Sequence, residues 1–472
     1  MCGMAGGEYV TRAVRFTLDP TPAQQRMLRS YCGAARFGFN WALGRVKDNL
    51  AVRAVEREAG VDEDALTPSI SWSKYSLRKQ FNAEKADVAP WWSEVAKHCF
   101  DTGIIQAADA LRNWSDAKHG RRRGHMGFPS FRSKRRPMQS VSFVELNHQL
   151  SWLNESRHAV RLMLPQALVQ SKDQRVRAKA RLLAWVHTVE STRRLYRLVE
   201  DGRATIQKVT FSHRGGRWHV SFQVRHRAAH APTPKPGRKL GDVVGVDMGI
   251  KHLATVSQPV PGVSDDDGHV ANPKVLAEQL RRLRRLDRRI ARSQTGSKNR
   301  ARLLQRRARL HGQIANTRAL HLHALANTLA GGFDIVGIED LNVKGMSHKK
   351  RRLGRHLADA SLAELRRLLT YKTADHGHRL VVVDRFYPSS KTCSTCGAVK
   401  AKLPLHARTF DCEHCDAHVD RDVNAAHNIA REAVRLHGST SHEDVAGLRP
   451  ETVNADSRLC QTDQGDLAAT AV

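Results

Sequence analysis

The chain has no apolar run long enough to span a bilayer. Its opening residues, Met1-Cys2-Gly3-Met4-Ala5-Gly6-Gly7, contain no apolar signal-peptide core. A cytosolic protein with no membrane contact is therefore expected. Cysteine is sparse as well: eight occur in 472 residues, and Cys2, Cys32, Cys99 and Cys460 are scattered. That excludes a disulfide framework and predicts free thiols at those four positions. Acids are in deficit, with 46 Asp+Glu against 78 Lys+Arg and a formal charge of +32. The imbalance calls for a polyanionic partner, nucleic acid by default. At 40% apolar the chain can still build real cores, so general disorder is excluded.

The other four cysteines are paired. Cys393-Ser394-Thr395-Cys396 and Cys412-Glu413-His414-Cys415 are separated by 15 residues, a spacing that suits one structural, tetrahedral Zn²⁺. Gly397 supplies the tight turn of the first knuckle, whereas Asp416 stands where the second would usually have glycine. A redox Cys-x2-Cys is the alternative for one pair alone, and the presence of two argues against it. His406, His414 and His418 could replace a thiolate but are expected on the surface.

Three acids stand out. Asp247 ends the apolar run Val243-Val244-Gly245-Val246, Glu339 ends Ile335-Val336-Gly337-Ile338, and Asp422 stands at the expected start of a helix, Arg421-Asp422-Val423-Asn424-Ala425-Ala426. Each has a bland reading alone: a phosphate loop for Asp247-x-Gly249, a charged strand end for Glu339, favourable charge at a helix N-terminus for Asp422. A ribonuclease-H-like sheet accounts for all three at once. It brings the ends of its first and fourth strands together, and its final helix delivers a third acid beside them. Acids so gathered repel one another and call for two Mg²⁺ (or Mn²⁺) ions, which activate water and stabilise the leaving oxygen in phosphodiester hydrolysis. Asp247 is the candidate to bridge both ions, with Glu339 and Asp422 each completing one shell. Asp340, Asp384, Asp411 and Asp420 rank below them.

The pattern along the chain is that of a multidomain α+β protein. A strand is expected over 9–18 and a helix from Ala23 to about Asn49, with Thr21 as N-cap and Pro22 in the first turn. Residues 51–90 are a polar, helical insertion, and a second helix spans 91–118. Short strands follow at 128–131, 141–143, 159–162, 207–211 and 218–222, with Gly215-Gly216 as a hairpin turn. Together with the first strand they suggest a small β-barrel, interrupted at 166–200 by an Arg-rich helical segment. Pro232, Pro234 and Pro236 mark a linker. An α/β region comes next, with a hairpin at 243–257 and two helices over 272–330, the first striped by Leu276, Leu280, Leu283, Leu286 and Ile290. Between Arg281 and Arg309 there are 13 Lys/Arg and one acid, Asp287. A solvated face is the bland reading. So one-sided a balance leaves few i,i+4 ion pairs and favours a nucleic-acid contact, which makes Arg281, Arg285, Arg288, Arg292, Lys298 and Arg302 candidates. Strands at 335–339 and 380–384 flank a helix at 357–376, and helix 423–436 closes the core.

These stretches resemble the TnpB family of RNA-guided nucleases encoded by insertion sequences, and the miniature type V CRISPR effectors derived from it. The resemblance is carried by Arg15-Phe16-Thr17-Leu18 with Ala35-Arg36-Phe37-Gly38-Phe39-Asn40-Trp41, Gly127-Phe128-Pro129-Ser130-Phe131, Gly245-Val246-Asp247-Met248-Gly249-Ile250, Gly296-Ser297-Lys298-Asn299-Arg300, Gly337-Ile338-Glu339-Asp340-Leu341-Asn342, the cysteine pairs, and Asp420-Arg421-Asp422-Val423-Asn424-Ala425-Ala426-His427-Asn428-Ile429. It implies an N-terminal wedge-like β-barrel over 8–20 and 127–230 with an inserted helical recognition lobe over 21–126. After a linker at 231–240 it implies a C-terminal ribonuclease-H-like (RuvC) domain over 241–390 and 417–437, with an inserted zinc-ribbon target-loading module at 391–416. The tail, 438–472, is expected to be disordered. The resemblance further implies a guide RNA, a double-stranded target DNA with a short adjacent motif read by the protein, and single-stranded DNA in the RuvC groove. It places the protein in a bacterial or archaeal cytosol, at the nucleoid. Arg36, Asn40 and Gln106 are the N-terminal candidates for nucleic-acid contact. The sequence leaves three other readings open: a guided DNA-binding repressor without cleavage, a transposase that joins DNA ends, and a zinc-ribbon binding module without chemistry.

Overall fold

A computed structural model describes residues 9–439 except 135–137, 145–148, 155, 157, 228–238, 348–352 and 405. Most of the expected linker at 231–240 and nearly all of the 438–472 tail lie outside the described residues. The chain forms two compact units, Met1–Pro232 with Arg282–Gln313, and Thr233–Arg281 with Ile314–Val472. Among the described residues no helix is long and apolar enough to cross a membrane.

The first unit opens with β1 (Tyr9–Asp19) and α1 (Pro22–Glu58). Thr21 and Gln24 cap α1 reciprocally: Gln24 N donates to Thr21 Oγ1 at 3.3 Å, and Thr21 N to Gln24 Oε1 at 2.9 Å. The helix runs nine residues past the expected end at Asn49 because its polar last turns find partners. Arg57 pairs with Glu63 at 2.7 Å, and Glu56 accepts from Thr67 N at 2.8 Å. Helices α2 (Lys74–Val88) and α3 (Cys99–Lys118) follow.

Next come β2 (Ser140–Phe143), β3 (Ala159–Arg161), α4 (Gln166–Val169), α5 (Gln174–Leu183), β4 (Trp185–Thr188), α6 (Arg193–Glu200), β5 (Ala204–Arg214) and β6 (Arg217–Arg227). The six strands form one sheet in the order β2-β5-β6-β1-β4-β3. The N-terminal strand does complete it, pairing with β6 on one side and β4 on the other. The barrel expectation needs correction, since β2 and β3 are edges of an open sheet among the described residues. Two local expectations also fail. Residues 128–131 form no strand, and the 166–200 segment contains β4, in which buried Val186 and Thr188 alternate with the less buried Trp185 and His187, a pattern masked by Arg-rich flanks. The Gly215-Gly216 turn is as expected, with φ of +57° and +74°. Helices and sheet share a single core that includes Tyr31, Leu43, Phe81 and Phe100 from the former and Phe143, Phe211 and Phe222 from the latter.

The remaining elements are β7 (Gly241–Met248), β8 (His252–Val256), β9 (His269–Ala271), α7 (Val275–Ala291), α8 (Lys298–Gly332), β10 (Phe333–Glu339), α9 (Val343–Met346), α10 (Gly354–Ala360), α11 (Leu362–His376), β11 (Arg379–Val383), β12 (Thr409–Asp411), β13 (His418–Asp420) and α12 (Arg421–Ser439). The second unit is built on a five-stranded sheet of order β11-β10-β7-β8-β9. Strands β7, β10 and β11 run parallel, while β8 and β9 run antiparallel to their neighbours. The first and fourth strands are therefore adjacent. Val244, Val246, Ile338, Leu365 and Leu368 build the core on one side. Helices α7 and α8 carry the basic stretch. Leu283, Ile290, Leu303 and Leu310 are buried, while Leu276, Leu280 and Leu286 are half-buried.

Candidate active site

Strand alternation decides which residues share a face, and on β7 and β10 it places a glycine two residues before each acid. Gly245 and Asp247 lie on one face of β7, and Gly337 and Glu339 on the same face of β10. The two glycines are register partners in the parallel ladder. Helix α12 packs on this glycine pair. A Cβ on Gly245 would sit 2.0 Å from the Ala426 carbonyl oxygen and 2.4 Å from Ala430 N. One on Gly337 would sit 2.7 Å from Ala433 Cβ. The absence of side chains there lets the helix backbone rest on the sheet and bring its first turn to the acid-bearing end.

Asp422 occupies that first turn. Asp420 sets the start of the helix, accepting at Oδ1 from Asp422 N at 2.8 Å and Val423 N at 3.2 Å. This gives Asp420 a capping role. Asp340 is likewise occupied, paired with Arg366 and Arg385. Asp247 senses the other two ranked acids. Burial first, then the Glu339 and Asp422 carboxylates, push Asp247 up to about 8. Burial also raises Glu339, against the opposing Ser389 hydroxyl and the Arg421 guanidinium. Such destabilised carboxylates suit a divalent cation, and the oxygen-only donor set is that of a hard ion.

The supports of this site were not visible in the sequence. Ser389 lies on the loop after β11, is 5% exposed and donates its hydroxyl to Glu339. Asn424 and Asn428, one turn apart on α12 and fully buried, latch that loop. Asn424 Nδ2 donates to the Thr392 carbonyl at 2.7 Å, Asn428 Nδ2 to the Ser389 carbonyl at 2.8 Å, and Ser394 N to Asn424 Oδ1 at 2.8 Å. Two amides spaced i,i+4 amid alanines and an isoleucine were the available signal; Ser389 had none. On the other side, Thr255 of β8 is the register partner of Asp247. A bulge between His252 and Ala254 turns His252 to the same face, where it stacks on His269 at 4.2 Å.

The cysteine pairs come together as expected. Cys393 Sγ is 3.6 Å from Cys415 Sγ, Cys396 Sγ is 3.6 Å from Cys412 Sγ, and all four lie within 4.8 Å of one another. A tetrahedral ion with ~2.3 Å bonds to sulfur would require separations of about 3.8 Å, so the four thiols could hold a metal. Gly397 adopts φ +80° and Asp416 φ +54°. Asp416 thus takes up the left-handed turn that glycine would otherwise supply, a conformation aspartate tolerates better than most residues. The three histidines stand outside the quartet, and His418 bonds Asp411.

The nucleic-acid candidates divide. Arg281, Arg285, Arg288, Arg292, Lys298 and Arg302 are all exposed. A cleft of about 400 Å³ between α7 and α8 is lined by Arg282, Arg285, Arg289, Arg306 and Arg309. Arg36 and Gln106 are half-buried on α1 and α3. The Asn40 amide is engaged at both ends by the Arg132 backbone, at 3.0 and 2.8 Å, so it clamps the segment after Gly127.

The fold and site together define a two-unit α+β protein in which Asp247 and Glu339 end adjacent strands, Asp422 on α12 is near enough to act on Asp247, and four cysteines cluster as a possible metal site. Comparison with known proteins places it. Residues 363–429 match the model described as "Cas12f1-like, TNB domain", and residues 221–350 one described as "Probable transposase". Residues 4–53 match a "Helix-turn-helix domain" model, although here that stretch is β1 followed by one continuous helix. The chain is 32% identical over 429 residues to a "Putative RNA-guided DNA endonuclease" of Mycobacterium tuberculosis (strain CDC 1551 / Oshkosh), covering 90% of this chain and 86% of that one. Identically described proteins of Streptomyces pristinaespiralis and Escherichia coli (strain K12) are 37% identical over 55% of this chain and 59% of theirs, and 26% identical over 89% and 91%. The chain belongs to this family, the TnpB-type RNA-guided DNA endonucleases.

Proposed function

We propose that this protein is an RNA-guided, Mg²⁺- or Mn²⁺-dependent endonuclease that cuts both strands of a target DNA at a single RuvC-type site built from Asp247, Glu339 and Asp422. The observation that carries the reading is the seating of α12 on Gly245 and Gly337, which brings the Asp422 turn to the end of the sheet where burial raises both Asp247 and Glu339. Two bound cations would supply an activated water and charge neutralisation at the leaving oxygen. Asp247, on which both other acids act, would bridge the ions. Ser389 holds one oxygen of Glu339 and leaves the other for an ion. Cys393, Cys396, Cys412 and Cys415 would hold one structural Zn²⁺. The exposed cations of α7 and α8 would neutralise phosphates of guide RNA and DNA. Base pairing with the guide would select the sequence, next to a short motif read by the protein.

Sequencing the RNA that co-purifies tests the guided reading. A single structured species with a variable end supports it, and random cellular RNA defeats it. Incubating that complex with matching DNA and Mg²⁺ tests the chemistry. Cleavage by the wild type and guided binding without cleavage by Asp247→Ala are expected. A wild type that binds the target under guidance but leaves it intact would instead support the repressor reading.

A further inference from the structure

The loop after β11 is tied down on both sides of one residue. Asp384 Oδ1 accepts from Phe386 N at 2.8 Å, and the Asp384 carbonyl accepts from Tyr387 N at 3.0 Å. Arg385 donates to Asp340, the Tyr387 hydroxyl reaches the Asn428 carbonyl at 3.5 Å, and Ser389 is fixed between Glu339 and Asn428. Amid these anchors the Phe386 ring is 85% exposed, more than any other large apolar side chain among the described residues. An aromatic ring held in water on an ordered loop forgoes the burial that usually places phenylalanine inside.

Its position limits what could cover it. Val383 is the register partner of Glu339, and Phe386 follows three residues later, so their chain path is at most about 11 Å. Phe386 therefore lies near the strand end that carries Glu339, next in sequence to Arg385, whose guanidinium is bound to Asp340. A phenylalanine has no donor or acceptor and cannot hold a phosphate. What it can take from a polyanionic strand is the face of a base, which is free only where the strand is single.

We propose that Phe386 is a substrate-binding residue of the nuclease, a platform on which one base of the single DNA strand stacks while its backbone lies at Asp247, Glu339 and Asp422. This rests on the nuclease reading above. Stacking fixes the strand along its axis without reading its sequence, because every base offers a π-face.

The test uses the guide-loaded protein and single-stranded DNA carrying 2-aminopurine at successive positions. In an Asp247→Ala background, fluorescence should be quenched at one position, and Phe386→Ala should abolish that quench. In the cleaving protein, Phe386→Ala should raise KM for the single strand by about tenfold, within the range known for base–aromatic contacts, with a smaller change in kcat. Phe386→Trp should restore both readouts, and Phe386→Leu, apolar but without a π-face, should not. Wild-type behaviour of Phe386→Leu, or a quench that survives Phe386→Ala, overturns the proposal while leaving the nuclease intact. A quench that Phe386 controls only when the probe is placed in the guide RNA overturns it in favour of an RNA contact. If wild-type protein neither cuts nor binds the strand, the nuclease reading falls and takes this proposal with it.

Discussion

Ser389 donates its hydroxyl to Glu339 across 50 residues of sequence, while its own carbonyl accepts from Asn428 of the closing helix. One loop residue thus joins an acid at the end of β10 to the helix that carries the third acid. Ser389→Ala would free Glu339 without removing it. Cleavage should fall about 10- to 100-fold, the usual effect of losing a group that orients a metal ligand, with guided DNA binding unchanged. Wild-type rates at saturating Mg²⁺ and at limiting Mg²⁺ alike would mean that Ser389 has no part in ordering the site.

Gly245→Ala should displace α12, because the new Cβ would lie 2.0 Å from a backbone carbonyl that cannot step aside. Overpacking of this kind costs about 1–3 kcal/mol or more, so a lower Tm is expected together with lost cleavage. Gly33→Ala is the control. It sits within α1 with nothing within 4 Å of the added carbon, so a gain of up to about 1 kcal/mol from helix propensity is expected. Equal melting of the two variants would refute the close approach.

The raised Asp247 gives a pH signature in protein freed of Mg²⁺. Its carboxyl is ordinary in the unfolded chain, near 4, and titrates at about 8 when folded. Between these values the folded state holds a proton that the unfolded state has released. The contribution of Asp247 to stability is therefore complete below about pH 4 and is lost as pH rises towards 8. Asp247→Asn cannot ionise, so its Tm should rise relative to wild type across that window, and Mg²⁺ should narrow the gap. A constant difference at every pH would show that Asp247 is not held in this environment.

On the zinc reading proposed above, Cys412→Ser should abolish metal binding by the cysteine quartet. Elemental analysis should find about one zinc per wild-type chain and close to none in the variant. Retention of stoichiometric zinc would remove Cys412 from the ligand set.

The basic hairpin should declare itself through salt. Every phosphate the protein ceases to neutralise lowers the slope of log K against log salt by about 0.7 to 0.9. Arg285→Ala with Arg289→Ala, both lining the cleft between α7 and α8, should flatten the RNA-binding slope by about 1.5 on that scale. An unchanged slope would leave that cleft without a nucleic-acid role.

Positions that chemistry fixes were legible in the sequence. Apolar runs ending in Asp247 and Glu339 became adjacent parallel strands, and four cysteines at knuckle spacing closed into one cluster. The long-range supports were not legible. Ser389 resembles any loop serine until the fold brings Glu339 to it. Strand β4 was hidden because its four residues sit between Arg-rich helices, and an apolar alternation so short carries little periodicity. Closure of the N-terminal sheet was expected too readily, because alternation reports which residues face a core and says nothing about whether the last strand meets the first.

The acid on α12 is reached with no slack. Cys415 leads through Asp416 and β13 to the Asp420 cap, and Asp422 follows two residues later. A single residue inserted within α12 between Asp422 and Ala426, which packs on Gly245, would rotate Asp422 by ~100° about the helix axis and carry it away from Asp247. Length added between Cys396 and Cys412 meets no such constraint. The cysteine module should therefore accept added length between its two knuckles while the first turns of α12 should not, with natural or engineered length variation confined to the stretch between Cys396 and Cys412.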